Sequence, residues 1–291
     1  MNSDYMEIQE FPMKLKFFEE PKTQFKTEQE AINVTMVSHP MHDFRELCTR
    51  MIRSTWKENP AEKLSQEEID STFKLLLEKK TLTNSMESLT FVFLLEGLTH
   101  IEISHLLRHR YFFSIHALCS GDRDLRHDDV LIPNSIKSSK FKDEYERVSR
   151  EAKKLYSDMV DSKDVSVMDA RYVLNRNHTY YYYVGMNLKD AINFINQRKC
   201  QMVQPYTDNL IAQKIRDCIA EVIPEISQTV SLQCNKGCHF INSPVARNTR
   251  LYQPDANHEK LFKFNPHNFL YARKRTEMGI PESVQDKENK K

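Results

Sequence analysis

"SMESLTFVFLLEGLTHIEISHLLRHR", residues 85–110, is the stretch on which the fold of this chain turns. From Leu89 to Leu107 it is apolar over more than one face, and it opens at Ser85, a side chain suited to accept from the backbone N–H groups of a first helical turn. The reading is a core helix over 85–107 that delivers Arg108, His109 and Arg110 at its end. Adjacent cations repel one another, so something anionic is expected to compensate them: a carboxylate cluster, a nucleic acid, or the phosphates of a nucleotide or cofactor.

Elements of both kinds flank this stretch. In "INVTMVSH" (32–39) Ile32, Val34 and Met36 alternate with polar neighbours, the pattern of a half-buried strand. "MHDFRELCTRMIRSTW" (41–56) places Phe44, Leu47, Cys48, Met51 and Ile52 at helical spacing. "SQEEIDSTFKLLLEKK" (65–80) begins with the reciprocal cap Ser65-x-x-Glu68, and "FKDEYERVSREAKKLYSDMVD" (141–161) reads as a charged amphipathic helix. "VMDARYVLNRNHTYYYYVGM" (167–186) holds a short helix end, a connector and an aromatic run whose alternate tyrosines predict a strand packed on one face. A helix is expected from Asn187, its cap, with Asp190 near the positive end of the dipole; Pro205 interrupts it before "NLIAQKIRDCIAEVI" resumes the pattern. The fold class is therefore α+β, a sheet packed with long helices. Residues 1–30 are expected to form an N-terminal extension, 31–240 the main domain, and 241–291 a C-terminal extension, partly disordered.

Composition narrows the function. Lys and Arg number 42 against 41 Asp and Glu, so no global basic field exists and nucleic acid is not the expected partner; any anion site is local. No window is long and apolar enough for a membrane span, the first residues lack the layout of a signal peptide, and a cytoplasmic protein is expected. The 6 cysteines are scattered in a chain too large to need staples, so reduced thiols are expected. Cys234 and Cys238, followed by His239, do not have the spacing of a strong zinc signature, and no metal site is assigned. Only 5 glycines occur, none in a phosphate-cradling motif, so phosphates would have to be held by arginine forks and helix N-termini.

Five segments occur in a telling order: "ESLTFVF" (87–93), "RHR" (108–110), "SGDR" (120–123), "ARYVLN" (170–175) and "NFINQRKCQMVQ" (193–204). Together they resemble the flavin-dependent thymidylate synthases, over roughly residues 31–240. That family methylates dUMP with reduced FAD and methylenetetrahydrofolate. The resemblance implies that Arg108, Ser120, Gly121, Arg123, Arg171 and Arg198 hold dUMP, and that Arg108, His109, Arg110 and Asn193 contact FAD. Arg198 and Ser120 are the implied catalytic residues, Arg198 by stabilising negative charge on the uracil ring. It further implies methylenetetrahydrofolate and NADPH as co-substrates, and a homotetramer with active sites between subunits. The resemblance thus implies that phosphate compensates the arginines.

The chain departs from the family pattern at defined positions. Nine residues separate Arg110 from Ser120 where the family has seven, and "SGDR" is one residue longer than its counterpart. Ala117 or Leu118 stands at a family glutamate, Ser88 and Met202 at family histidines, and Asn175 at a proline. The nucleotide arginines are retained while folate and flavin positions change. Two other readings stay open: a pyrimidine-nucleotide 5-hydroxymethylase of the same family, and a non-catalytic nucleotide- or RNA-binding relative.

Overall fold

The computed structural model describes residues 23–40, 43–56, 59, 62–109, 111–117, 124–198 and 206–226. Strand β1 (Phe25–Lys26) and one helical turn, α1 (Glu28–Ala31), lead into β2 (Asn33–Ser38). Two helices follow, α2 (Phe44–Arg53) and α3 (Gln66–Leu77), and a 3-10 segment (Thr83–Ser88) precedes β3 (Thr90–Leu98) and α4 (His100–Leu106). Next come β4 (Phe113–Ala117), β5 (Val130–Leu131), the short α5 (Asn134–Lys137) and the long α6 (Lys142–Ser162). One turn of helix, α7 (Val167–Ala170), and a 3-10 turn (Arg171–Val173) lead to β6 (Tyr180–Asn187), α8 (Leu188–Arg198) and α9 (Tyr206–Val222).

The main sheet has the order β2-β3-β6-β4 with every neighbour antiparallel, and β1 pairs in parallel with β5. Sheet and helices are thus mixed as an α+β fold. Caps read from sequence are present: Ser65 Oγ accepts from Glu68 N at 3.3 Å, and Asn187 Oδ1 accepts from Asp190 N at 2.9 Å. Helix α8 is described as far as Arg198 and α9 from Tyr206, and the interruption expected at Pro205 falls outside the described residues.

The expected helix over 85–107 is corrected. Its first part, from Ser85, is a 3-10 segment, its middle is the central strand β3, and only His100–Leu106 is helical. The physical reason is that a strand flanked on both edges and covered by helices is apolar on both faces, which periodicity alone cannot tell from a buried helix. Phe91, Phe93 and Leu95 are fully buried, while Thr90 is exposed and Val92 and Leu94 only half-buried, the two-residue alternation of a strand. Gly97 closes the strand with φ +74°, where the register against β6 shifts, and a Cβ there would overlap the Ala31 carbonyl oxygen. Glycine is required at that bulge. The helix that does form is capped at Thr99, whose Oγ accepts from Ile101 N at 3.2 Å.

Two cores result. The larger joins Phe91, Phe93 and Leu95 of β3, Val184 and Met186 of β6, Phe73 of α3, Ile192 and Ile195 of α8, and Ile211 and Ile215 of α9. Along β6 Tyr180 and Tyr182 are buried while Tyr181 and Tyr183 are exposed, as the packing reading of the tyrosine run requires. A smaller core gathers Leu125, Tyr156 and Ala170 against α6. Of the extension expected at 1–30, residues 1–22 lie outside the described residues while 23–30 carry β1 and most of α1, and 241–291 lies outside them entirely.

Candidate active site

The site grows from the ends of three helices. Past α4 the chain keeps turning: Arg108 N and His109 N donate to His105 O and Leu106 O at 3.3 and 2.9 Å, and Phe112 N donates to His109 O at 3.2 Å. This turn puts Arg108 on the surface and His109 inward. Helix α8 runs from its Asn187 cap to Arg198 in its last turn, and Asp208 lies in the first turn of α9. Because α8 packs on α9, Arg198 and Asp208 meet inside the protein, with only 7% and 3% of their surfaces exposed.

The Arg198 guanidinium is the hub. Nη1 donates to Asp208 Oδ2 at 3.0 Å, Nη2 donates to the His105 carbonyl at 2.9 Å, and Nε donates to His109 Nε2 at 3.0 Å. His105 Nδ1 lies 2.9 Å from the same Asp208 oxygen, and Asn209 Nδ2 donates to the Arg198 carbonyl. Behind them Thr207 Oγ donates to Glu102 Oε1 at 2.7 Å, and the other Glu102 oxygen accepts from Thr99 N at 2.8 Å, so α4 and α9 are tied by a buried carboxylate. The His109 ring stacks on Phe112, centroids 5.1 Å apart, and meets Phe194 edge-on at 4.9 Å.

This environment tunes both basic groups. Burial first, then the charge of Arg198 and the neighbouring His105, holds His109 down at about 4, so the ring is neutral at physiological pH. Burial also lowers the proton affinity of Arg198, with Asp208 opposing that shift and Arg108 reinforcing it. The guanidinium stays charged because an arginine has proton affinity to spare.

Of the residues that the resemblance implies, Arg198 and His109 are in direct contact, Arg108 lies one residue away on the surface, and Asn193 sits half-buried on α8. Arg171 is elsewhere: its 3-10 turn packs on α6 and α7, and it bears electrostatically on Tyr180. Arg110, Ser120, Gly121 and Arg123 lie outside the described residues, as do Met202, Cys234 and Cys238. Asp208, Glu102 and Thr207 were not singled out from sequence, and His105 only as standing near a family glutamine; "YTDN" after Pro205 carries an acid at a helix start, a common feature that gives no sign of an arginine partner. Ser88 is engaged locally, its hydroxyl donating to Ser85 O at 2.7 Å.

For a flavin or a nucleotide the donor set is suitable. Arg108 offers an exposed guanidinium to phosphate, and Asn193 and the His109 edge offer polar contacts to a heteroaromatic ring, with the imidazole itself held by the buried Phe112 and Phe194. Asn196, three residues after Asn193 on the same helix, has a buried side-chain oxygen with no partner among the described residues. A group of three or more His, Cys, Asp or Glu able to hold a metal is absent from the described residues, and none of their helices is long and apolar enough to cross a membrane.

These features agree with comparison to known proteins. Residues 35–225 match the thymidylate synthase complementing protein family, and the chain belongs to that family. It is 24% identical over 180 residues to the flavin-dependent thymidylate synthase of Pyrococcus furiosus, covering 60% of this chain and 73% of the relative. To the enzyme of the same name from Pyrococcus abyssi it is 22% identical over 209 residues, covering 69% and 82%. The fold is similar to that of the UMP/dUMP methylase PolB from Streptomyces cacaoi bound with 5-Br dUMP, with TM-score 0.58 and 16% identity over 71% of this chain and 96% of that one. It is also similar to thymidylate synthase X from Helicobacter pylori with FAD and dUMP, with TM-score 0.55 and 11% identity over 69% and 99%.

Proposed function

We propose that this protein is a flavin-dependent enzyme that transfers a one-carbon unit to C5 of dUMP, using FAD, methylenetetrahydrofolate and NADPH. The observation that carries the reading is the Arg198–His109 contact, which joins two of the implied site residues across 89 positions of sequence in a chain of this family. Reduced FAD, when bound, would supply hydride to the one-carbon adduct.

The chain's own residues bind, orient and polarise. Arg108 and Arg171, with Ser120, Gly121 and Arg123, hold the nucleotide, their forks matching a dianionic phosphate. Arg198 places positive charge in a dry environment, where it stabilises negative charge developing on the pyrimidine far more than it would in water. Ser120 joins it as the second catalytic residue. His109, Arg110 and Asn193 line the flavin side with Arg108.

The homotetramer is part of the proposal. Leu107 and Tyr111 beside Arg108, and Tyr172 beside Arg171, are 55%, 74% and 83% exposed, so each arginine segment presents apolar surface for another copy to cover. Light scattering coupled to gel filtration tests it: four copies are expected, and a monomer overturns it.

The decisive experiment incubates full-length protein with C5-tritiated dUMP, FAD, methylenetetrahydrofolate and NADPH. Release of tritium and formation of dTMP are expected; no release overturns the proposal. The UMP/dUMP methylase among similar structures favours testing UMP in parallel. Mass spectrometry distinguishes a methyl from a hydroxymethyl product by one oxygen.

A further inference from the structure

A protonated guanidinium has only donors, so a ring nitrogen in contact with it must accept. Arg198 Nε approaches His109 Nε2 at 3.0 Å, and Nη2 lies 2.8 Å from the same nitrogen. Nε2 therefore carries the lone pair. A neutral imidazole has a single N–H, which is left on Nδ1.

We infer that Arg198 fixes His109 as the neutral Nδ1–H tautomer, so that the ring presents Nδ1–H as a hydrogen-bond donor to a carbonyl oxygen or ring nitrogen of the bound heteroaromatic ligand. The ring plane is set by Phe112, stacked at an interplanar angle of 18°, and by the Phe194 edge. The arginine is itself fixed on its far side by Asp208 and the His105 carbonyl, which makes Asp208 a positioning residue for the tautomer. No group among the described residues accepts from Nδ1, although its polar neighbours crowd Nε2. Among the described residues, the charged and titratable groups that bear on the ring are Arg198 and His105, with Asp208 and Arg108 acting on Arg198, and the depressed proton affinity of His109 is consistent with a ring that stays neutral among them. This inference deepens the proposed site and rests on His109 facing a ligand there.

The tautomer is read directly by nitrogen-15 spectroscopy of the imidazoles in the full-length protein at neutral pH, with His109→Asn identifying the signals. A pyrrole-like Nδ1 and a pyridine-like Nε2 are expected; the reverse pattern, or an imidazolium, overturns the inference. Binding supplies the second readout, in separate titrations with FAD and with dUMP. An asparagine amide nitrogen can stand at the Nδ1 position and a glutamine amide nitrogen at Nε2. For whichever ligand meets the ring, His109→Gln should lose roughly 10-fold in affinity and His109→Asn only about 3-fold, the scale of one hydrogen bond. Equal losses in the two variants refute the donor role. If wild-type protein binds neither FAD nor dUMP, the functional proposal fails while the spectrum still decides the tautomer.

Discussion

Arg198→Ala should unfold this protein more readily than it blinds it to nucleotide. Truncation removes the donor that pairs with Asp208 at 3.0 Å and leaves that carboxylate, 3% exposed, facing His105 alone among the described residues. Breaking a buried pair by removing one partner costs about 3 to 5 kcal/mol, because the remaining charge is stranded. A domain has only about 5 to 15 kcal/mol to lose, so the variant should sit near its folding threshold. Urea denaturation of wild type, Arg198→Ala, Asp208→Asn and the double variant measures the pair: the double variant should lose about 2 kcal/mol less than the sum of the singles, inside the range for residues in direct contact. The apolar replacement Arg198→Met with Asp208→Leu should recover most of the stability. Strict additivity, with coupling below about 0.5 kcal/mol, would refute the pairing. Nucleotide affinity of Arg198 variants is interpretable only where the melt shows folded protein.

Three further outcomes are expected. His178 is 2% exposed, neither ring nitrogen has a hydrogen-bond partner among the described residues, and burial, then Lys153 and His100, holds it at about 3. Because its folded value lies below the unfolded one, its contribution is full above about pH 6.5 and is lost as pH falls; at pH 5 the loss is about 2 kcal/mol. His178→Phe should therefore lose about 2 kcal/mol less than wild type between pH 7.5 and 5 in chemical denaturation, and parallel curves would contradict this. Tyr156→Phe removes the hydroxyl that accepts from Leu125 N at 3.2 Å, so it should cost about 1 to 3 kcal/mol and speed hydrogen exchange at the Leu125 amide. Arg171→Ala and Arg108→Ala should each weaken dUMP binding by about 2 to 4 kcal/mol in calorimetry with little change in melting temperature, since neither is buried.

Where sequence reading succeeded, a local rule sufficed. Ser65 and Glu68, or Asn187 and Asp190, satisfy orphan backbone donors within one turn, and such signals survive without tertiary knowledge. The alternation in 180–184 was likewise decisive because one tyrosine face is buried and the other is not. β3 defeated the same logic because both its faces are covered to some degree, and β-branched and aromatic content in "TFVF" was the cue that outweighed apolar length. Arg198 and His109, which the family resemblance singles out, prove to be in contact, whereas Asp208 was not legible: its pairing with Arg198 depends on the packing of α8 on α9, which no spacing encodes.

The two arginine groups belong to different cores, and this bears on how the site can work. Arg198 and His109 are fastened to the main core through α8, α4 and α9, while Arg171 follows Ala170, which packs with Leu125 on Tyr156 of α6. From Arg171 the chain reaches Arg198 through β6 and α8: β6 begins at Tyr180, whose ring Arg171 influences electrostatically, and ends at Asn187, the cap from which α8 runs to Arg198. An eight-residue strand extends roughly 26 Å and an 11-residue helix returns roughly 16 Å, both as stiff units. Their relative placement is therefore set by rigid elements, and tight binding of one nucleotide by both arginines demands a geometry already built into the assembled protein. The expectation that follows concerns kinetics: loosening the α6 core with Tyr156→Phe should raise KM for dUMP while leaving kcat near wild type, because the Arg198 side of the site is untouched. A proportional fall in kcat at unchanged KM would show that the two cores do not divide the work in this way.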